Sequence, residues 1–273
     1  MEAKKATLYQ HVNFLTSLYP YRNYRNIESL NRAADYIEDA LEKTGFPTSR
    51  QIWEAEGHSY QNIIAAYRPE KPQRFIIGAH YDVYKDSPGA DDNASSVAGL
   101  LELARMLSES NLELDYGIDF VSYCLEEPPF FKKKEMGSYV HADSLDVKNT
   151  EYLGMIALEM IGYYHEKNSD SDKKSLIVSG IERYDDFNKR ISKLLRVRRT
   201  IDSARFTHAD TDKNNGPSDH RNYWKYDIPA VMVIGTGGGG NPNYHTITDT
   251  IETLDFDTMT EAVNCLAYAL FNF

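Results

Sequence analysis

The feature of this sequence that most constrains its fold is the alternation of short apolar runs with longer amphipathic segments. Strands are predicted where β-branched and aromatic residues concentrate, as in RFIIGAHYD (74–82), YGIDFVSYCLEE (116–127), EYLGMIALEMIGYY (151–164), SLIVSG (175–180) and IPAVMVIG (228–235). Helices are predicted where apolar residues recur at helical spacing, as in 26–46, 94–110, 185–197 and 255–273. This alternation predicts an α/β fold, a three-layer α/β/α sandwich around a central mixed, mostly parallel sheet.

Two strands follow each other closely near the start of this pattern. QNIIAAYRP (61–69) and RFIIGAHYD are separated only by the polar turn EKPQ, which suggests a hairpin at one edge of the sheet. The chain has 273 residues and shows no internal repeat, linker or low-complexity segment, so we predict one domain spanning residues 1–273.

The charge and hydropathy of the chain exclude some classes of partner. A net charge of −11 disfavours nucleic acid and anionic membrane surfaces. No apolar run reaches the roughly 18 residues of a membrane span. The first residues, MEAKKATLYQHVNFL, lack the apolar core of a signal peptide, so a cytoplasmic protein is expected, with export after removal of a signal left open. The glycine-rich loop TGGGGNPN (236–243) has no following lysine and helix, so it does not predict a phosphate site.

Histidine and carboxylate side chains collect where the predicted strands end. Ligands of open α/β sheets bind outside the carboxyl ends of the strands. The residues expected there are His80, Asp82, Asp91, Asp92, Glu126, Glu127, Glu159 and His245. Crowded carboxylates repel one another unless a cation lies among them. Nitrogen and oxygen ligands without thiolate indicate a site for two zinc ions at this edge.

Four blocks of the sequence carry a family resemblance. The blocks AHYD…PGADDNASSVAGLLELA, EEPPF, LEMIGYY and NYHTITDTIETLD resemble those of the co-catalytic di-zinc aminopeptidases. That family includes bacterial leucyl aminopeptidases and, more distantly, glutamate carboxypeptidases, glutaminyl cyclases and the transferrin receptor. The resemblance covers the chain from about residue 25 onward. It implies a metal-dependent exopeptidase that binds two Zn²⁺ ions and removes N-terminal residues from peptides with a free N-terminus.

The resemblance also implies a role for each residue of the matching motifs. The implied metal ligands are His80 and Glu159 for one ion, Glu127 and His245 for the other, and Asp91 as the bridge between them. Glu126 is the implied general base, because hydrolysis needs a group that moves a proton from water to the leaving amine. Asp82 is expected to accept the second N–H of His80, and the Asp91–Asp92 peptide bond is expected to be cis. The family usually has aspartate where this chain has Glu159, which leaves the denticity of that ligand open.

Two other functions stay open. A glutaminyl cyclase, which is an acyl transferase that works with one zinc ion, resembles the same ligand set. A non-catalytic binding protein on this fold would have lost ligands, whereas here all five ligand positions and the base have competent side chains. A carboxypeptidase for acidic residues would need arginine in its pocket, and Arg221 is the only arginine within the matching blocks and the neighbouring GPSDHRNYW segment. These comparisons favour an aminopeptidase.

Overall fold

The structure is a computed structural model that describes residues 2–164, 174–212, 216–235 and 240–273. Residues 236–239, the first half of the glycine-rich loop noted above, lie outside this part of the chain. The strands are β1 (Thr48–Ala55), β2 (His58–Tyr67), β3 (Gln73–His80), β4 (Gly117–Tyr123), β5 (Glu151–Glu159), β6 (Ser175–Ile181), β7 (Asp202–His208) and β8 (Ala230–Gly235). The α-helices are α1 (Lys5–Ser17), α2 (Ile27–Glu42), α3 (Ser96–Ser108), α4 (Gly137–Asp143), α5 (Asp185–Leu195) and α6 (Phe256–Phe271).

The eight strands form a single mixed sheet in the order β1-β2-β4-β3-β5-β8-β6-β7. The central strands β4, β3, β5 and β8 run parallel to one another, whereas β1, β2 and β6 make antiparallel contacts. The predicted α/β fold with a mixed sheet is therefore confirmed. The hairpin expected between QNIIAAYRP and RFIIGAHYD is wrong, because β4 inserts between β2 and β3. The antiparallel pair at this edge of the sheet joins β1 to β2 instead.

Helices cover both faces of the sheet, which explains why its central strands are apolar throughout. On one face, α1, α2, α3, α5 and α6 pack with the sheet into the larger hydrophobic core. On the other face, α4 and a 3₁₀ helix at Asp219–Tyr226 form a smaller core. A strand that is buried on both sides reads as a continuous apolar run, as β3 and β4 do.

The periodicity of α2 shows how the sequence selects the buried face of a helix. Its apolar residues are spaced so that one stripe faces the sheet, and Leu30, Ala33, Ala34, Ile37 and Leu41 are buried as that spacing requires. The longest helices of the described residues, α2 and α6, have 16 residues each. Within those residues no helix combines the length and apolarity needed to cross a bilayer.

Candidate active site

Three adjacent strands bring the first chemically active side chains together. Strand β3 lies between β4 and β5, with His80 paired to Tyr123 and Gly78 paired to Ala157. The strands run parallel, so their carboxyl ends open on the same edge of the sheet. His80 and Glu159 end their strands there, and the chain beyond β4 adds Glu126 and Glu127. All four side chains are buried.

The side chains form two groups that could each hold a metal ion. In the first group, His80 Nε2 lies 3.4 Å from Asp92 Oδ1 and 3.4 Å from Glu159 Oε1. In the second, His245 Nε2 lies 3.2 Å from Asp92 Oδ2 and 3.2 Å from Glu127 Oε1. The two groups share Asp92, which directs one carboxylate oxygen toward each histidine. This carboxylate is placed to bridge two cations.

The structure does not bring Asp91, the expected bridge, into either group. Its Oδ1 accepts the backbone N–H groups of Gly162 (2.9 Å) and Tyr163 (3.0 Å), and its Oδ2 accepts the amide of Asn241 (2.9 Å). The Asp91 carboxylate therefore connects the loop after β5 to the loop before His245. Asp92, the next residue, is the one whose carboxylate faces both histidines.

An irregular turn at Ala90–Ser95 aims Asp92 into the site. Asp92 and Asn93 have non-helical backbone angles within it, and the cis peptide bond expected at Asp91–Asp92 is found at Asp92–Asn93. The turn begins at Gly89, whose φ is 65°, and a Cβ there would lie 2.5 Å from the Asp92 carbonyl oxygen. Only glycine fits such a position without displacing the turn.

Asp249 and Asn93 hold this turn against the rest of the site. The Asp249 carboxylate accepts the backbone N–H groups of Asp91 (2.9 Å) and Asp92 (3.1 Å). Asn93 accepts the N–H of Met160 (3.0 Å) and donates to the carbonyl of Leu158 (3.1 Å), on either side of Glu159. Neither residue was identified from the sequence, although Asp249 lies within the last matching block.

The two adjacent glutamates diverge because the backbone leaves the strand before them. Leu125 has a φ of 62°, a left-handed conformation that is uncommon for leucine and makes the backbone irregular at this point. Glu127 faces His245, as described above. Glu126 Oε2 lies 3.9 Å from His80 Nε2 but belongs to neither metal group, so its carboxylate remains available beside them.

Asp82 positions this pair of glutamates. Its Oδ1 and Oδ2 accept the backbone N–H groups of Glu126 and Glu127, each at 3.1 Å. Its Oδ1 also lies 3.5 Å from His80 Nδ1, but the shorter contact of that ring nitrogen is 3.2 Å to the Asp82 backbone carbonyl. The expected orienting contact to His80 is therefore supplied mainly by the backbone of Asp82, and its carboxylate orders the glutamates.

The longer side chain of Glu159 is restrained by the neighbouring 3₁₀ helix. Ser218, the residue before that helix, donates its hydroxyl to Glu159 Oε2 at 2.6 Å. The other oxygen, Oε1, is the one that faces His80. Glu159 thus presents a single free oxygen to the first metal group, which favours monodentate binding.

The electrostatics of the site are those of a buried cluster of carboxylates and imidazoles. Burial, reinforced by Glu127, raises the pKa of Glu126 well above its usual range. Burial, reinforced by Asp92, does the same for Glu127. Burial opposes protonation of the His80 imidazole. The nearby carboxylates of Glu159 and Glu126 nevertheless raise its pKa well above the ordinary value. Burial and the repulsion between neighbouring carboxylates therefore disfavour uncompensated negative charge where the two groups meet, and a bound proton or cation would relieve that cost.

Further polar residues approach the first group from the 3₁₀ helix. Asp219 is buried and forms no ion pair with the described residues, although the side chain of Ser138 is close enough to hydrogen-bond to it. Burial raises the pKa of Asp219 to about 7. Burial lowers the pKa of the neighbouring His220 to about 3, which keeps that ring neutral. A buried carboxylate near Glu159 that has no ion-pair partner among the described residues can receive a cationic group.

Unsatisfied atoms provide a test of whether these residues fit a metal. Within the described residues, Glu127 Oε1 and His245 Nε2 are buried without a hydrogen-bond partner, although they lie only 3.2 Å apart. Buried polar atoms are rarely left unpaired in native proteins, and such a pair demands an explanation. Imidazole nitrogen and carboxylate oxygen are ligands that Zn²⁺ accepts, so the donor set fits that ion.

Arg22, also missed from the sequence, supports the segment that follows β3. It is fully buried and donates to four backbone carbonyls, those of Leu15, Tyr81, Pro88 and Gly89. Burial lowers its pKa to about 10. Its guanidinium holds both ends of the loop that joins β3 to the turn carrying Asp92.

Known proteins are similar to this chain in sequence and in architecture. The profile of peptidase family M28 matches residues 62–270. The chain is 38% identical to the uncharacterized protein YfbL of Escherichia coli, over 99% of this chain and 88% of that protein. It is 26% identical to leucine aminopeptidase 1 of Aspergillus niger, over 94% of this chain and 67% of that protein.

Two solved structures from Bacteroides thetaiotaomicron share the fold. One is a leucine aminopeptidase precursor, with a TM-score of 0.81 and 22% identity, covering 100% of this chain and 98% of that one. The other is a glutaminyl cyclase bound to N-acetylhistamine, with the same TM-score and identity, covering 100% and 99%. At this identity the likeness concerns the fold alone. The family match and the curated relatives go further, and this chain belongs to peptidase family M28, as an aminopeptidase-like metallopeptidase.

Proposed function

We propose that this protein is a di-zinc aminopeptidase that hydrolyses the first peptide bond of substrates with a free N-terminus. The observation that carries the proposal is the shared carboxylate of Asp92, whose two oxygens face two separate histidine–carboxylate groups. His80 and Glu159 would hold one ion, and Glu127 and His245 the other. When bound, two zinc ions would polarise the carbonyl of the scissile bond and lower the pKa of a water molecule.

The remaining chemistry falls to side chains that bind no metal. Glu126 is buried beside both groups, and Asp82 fixes its backbone, so it suits the role of general base. It would take a proton from the attacking water and deliver it to the nitrogen of the leaving amine. Asp219 and the carboxylate of Glu159 form an anionic end of the site where the free α-ammonium of a substrate would be held.

A test of this proposal combines a metal count with a substitution of the base. The zinc-loaded protein should hold two ions per chain and release the N-terminal residue from leucyl-p-nitroanilide. Glu126→Gln should keep both ions and lose about 10²- to 10⁴-fold in kcat, because it removes only proton transfer. Loss of zinc from this variant, with full retention in Glu127→Gln, would show that the two glutamates have the opposite roles.

A second candidate function, cyclisation of N-terminal glutamine, has the support of the glutaminyl cyclase among the structures that share the fold. The two complete ligand groups favour hydrolysis, because the cyclase branch needs only one ion. Incubation of the zinc-loaded protein with glutaminyl and leucyl peptides separates the two. Formation of pyroglutamyl product without hydrolysis of the leucyl peptide would replace the peptidase proposal.

A further inference from the structure

A cavity of about 430 Å³ is lined by residues that adjoin the second metal group. Its lining includes Tyr84 and Pro128. Tyr84 stacks on the imidazole of His245 with 4.1 Å between ring centroids, and Pro128 directly follows Glu127. The cavity therefore begins where the second group ends.

Two cationic side chains line this cavity without a carboxylate partner. Among the described residues, neither Arg25 nor Lys85 forms an ion pair. Arg25 Nε donates to the hydroxyl of Tyr24 at 2.8 Å, and Lys85 Nζ lies 4.7 Å from the centroid of the Tyr84 ring. Asp86 also lines the cavity, so the two cations exceed the acids there by one. This excess stands out in a chain whose net charge is −11.

Both cations are carried by segments that are tied together. Asn23 is buried and donates its side-chain amide to the carbonyl of Lys85 at 2.6 Å. The N–H of Val83 donates to the carbonyl of Arg22 at 3.2 Å. These bonds hold the loop after β3 against the segment before α2. The backbone that carries the two cations is thus ordered before any ligand arrives.

The distances match the length of a short peptide. The Tyr84 ring centroid lies 4.1 Å from the His245 ring centroid and 4.7 Å from Lys85 Nζ. Lys85 Nζ is therefore at most about 9 Å from the His245 ring centroid. Each residue of an extended chain spans about 3.3–3.6 Å. A carboxylate one or two residues beyond the scissile bond would therefore come within reach of Lys85.

The charges along the site are complementary to the two charged ends of such a peptide. Among the described residues, the buried carboxylate of Asp219 has no ion-pair partner at the Glu159 end, and Arg25 and Lys85 have none at the Tyr84 end. A short peptide in its free form has an ammonium group at one end and a carboxylate at the other. Complementary charges of this kind select the partner and its orientation.

We infer that this cavity binds a carboxylate on the leaving-group side of the substrate, through Arg25 and Lys85, and that the protein therefore prefers short peptides with a free carboxylate within two residues of the cleaved bond. The inference rests on the proposed function for the position of the cleaved bond. The carboxylate has two possible sources, the C-terminus of a dipeptide or tripeptide and an acidic side chain next to the cleaved bond.

The test compares substrates that differ only in that carboxylate. Leucyl-glycine and leucyl-glycinamide have the same scissile bond and differ in the C-terminal carboxylate. Leucyl-glutamic acid α-amide and leucyl-glutamine α-amide differ only in the side-chain carboxylate, so this second pair tests the side-chain source. We expect kcat/KM to be about three- to tenfold higher for the member with the carboxylate in at least one pair, as expected for exposed charge pairs. The pair that responds identifies the source. The preference should shrink between about 0.01 M and about 1 M ionic strength, over which the Debye length falls from about 30 Å to about 3 Å.

The matched variants are Arg25→Gln/Lys85→Gln in the cavity and Arg32→Gln/Lys148→Gln on the exposed surface elsewhere. Both change the net charge equally, so only the first should abolish the preference for the member with the carboxylate. Calorimetric binding of leucyl-glycine and leucyl-glycinamide to a Glu126→Gln background measures the same preference without turnover.

The outcomes separate this inference from the proposed function. The inference would be overturned by equal kcat/KM values for both members of both pairs, or by a preference that the cavity variant retains. Either result would leave the proposed aminopeptidase function unaffected. Hydrolysis of none of the peptides would contradict the proposed function. The calorimetric comparison would still decide whether the cavity selects a carboxylate.

Discussion

Substitution of the two adjacent aspartates provides the sharpest test of the site, because the two residues differ only in where the backbone aims them. Asp92→Asn removes the one carboxylate that faces both His80 and His245, at 3.4 Å and 3.2 Å. Substitution of a residue that only hydrogen-bonds a metal ligand already costs about 10- to 100-fold in metal affinity. Loss of the shared ligand should cost more, so this variant should retain at most one zinc ion per chain.

Asp91→Asn should have little effect by comparison. Burial and Asp249 raise the pKa of Asp91 to about 7 from 3.8, which corresponds to roughly 4 kcal/mol of cost for holding its charge at high pH. The neutral amide avoids that cost and keeps an oxygen for the N–H groups of Gly162 and Tyr163. The substitution also removes charge-assisted hydrogen bonds, worth about 1.5–3 kcal/mol each, and this loss lowers the free energy of unfolding. We expect the free energy of unfolding to change by less than about 2 kcal/mol.

The assay is a zinc count by mass spectrometry after equilibration with buffered zinc, together with urea unfolding of both metal-free variants. The expected result is two ions in Asp91→Asn and fewer in Asp92→Asn, with both proteins folded. Loss of both ions from Asp91→Asn, together with full retention in Asp92→Asn, would refute the assignment of the bridge to Asp92.

Three further substitutions test the supports of the site and the pH dependence of the fold. Arg22→Met leaves four buried carbonyls without their donor and should lower the free energy of unfolding by about 3 kcal/mol or more, measured by urea denaturation; a loss below about 1 kcal/mol would contradict its supporting role. Gly89→Ala puts a methyl group 2.2 Å from Val83 Cγ1, and it should lower the zinc content as the turn shifts; unchanged zinc binding and stability would show that the turn tolerates the group. Burial lowers the pKa of His141 from 6.5 to about 4, so the neutral ring contributes stability that is present above pH 6.5 and is lost as the pH falls toward 4, by roughly 3 kcal/mol. His141→Asn should flatten that part of the pH profile of the metal-free protein, and an unaltered slope would assign the acid lability to other groups.

The residues that could be placed from the sequence are those whose position depends on a strand end. His80, Glu126, Glu127 and Glu159 follow apolar runs that are buried on both faces, so the strand ends could be located and the side chains with them. Strands β1 and β7 went unrecognised, because half-exposed strands lack such runs.

The choice between Asp91 and Asp92 could not be made from local sequence. Both residues are short, acidic and adjacent, and their spacing to His80 differs by one. The direction of each side chain depends on the irregular turn, which Asp249 stabilises from 158 and 157 positions away in the chain. Contacts at such separation leave no local pattern to recognise. Arg22 was missed for the same reason, because its role consists of hydrogen bonds to backbone atoms.

The position of the ligands at the limit of the sheet has a consequence for how this scaffold can change. His80 still pairs with Tyr123 and Glu159 with Ile234, so the ladder that aligns the strands extends up to the ligands and stops there. The loops beyond can gain or lose residues without shifting the alignment of the strands that carry the two ligands. Insertions and deletions can therefore remodel the walls around the site while its strand-borne ligands keep their places. A leucine aminopeptidase precursor and a glutaminyl cyclase overlay this chain equally well, which is the diversity expected of a frame that separates reactive groups from the loops that select the substrate.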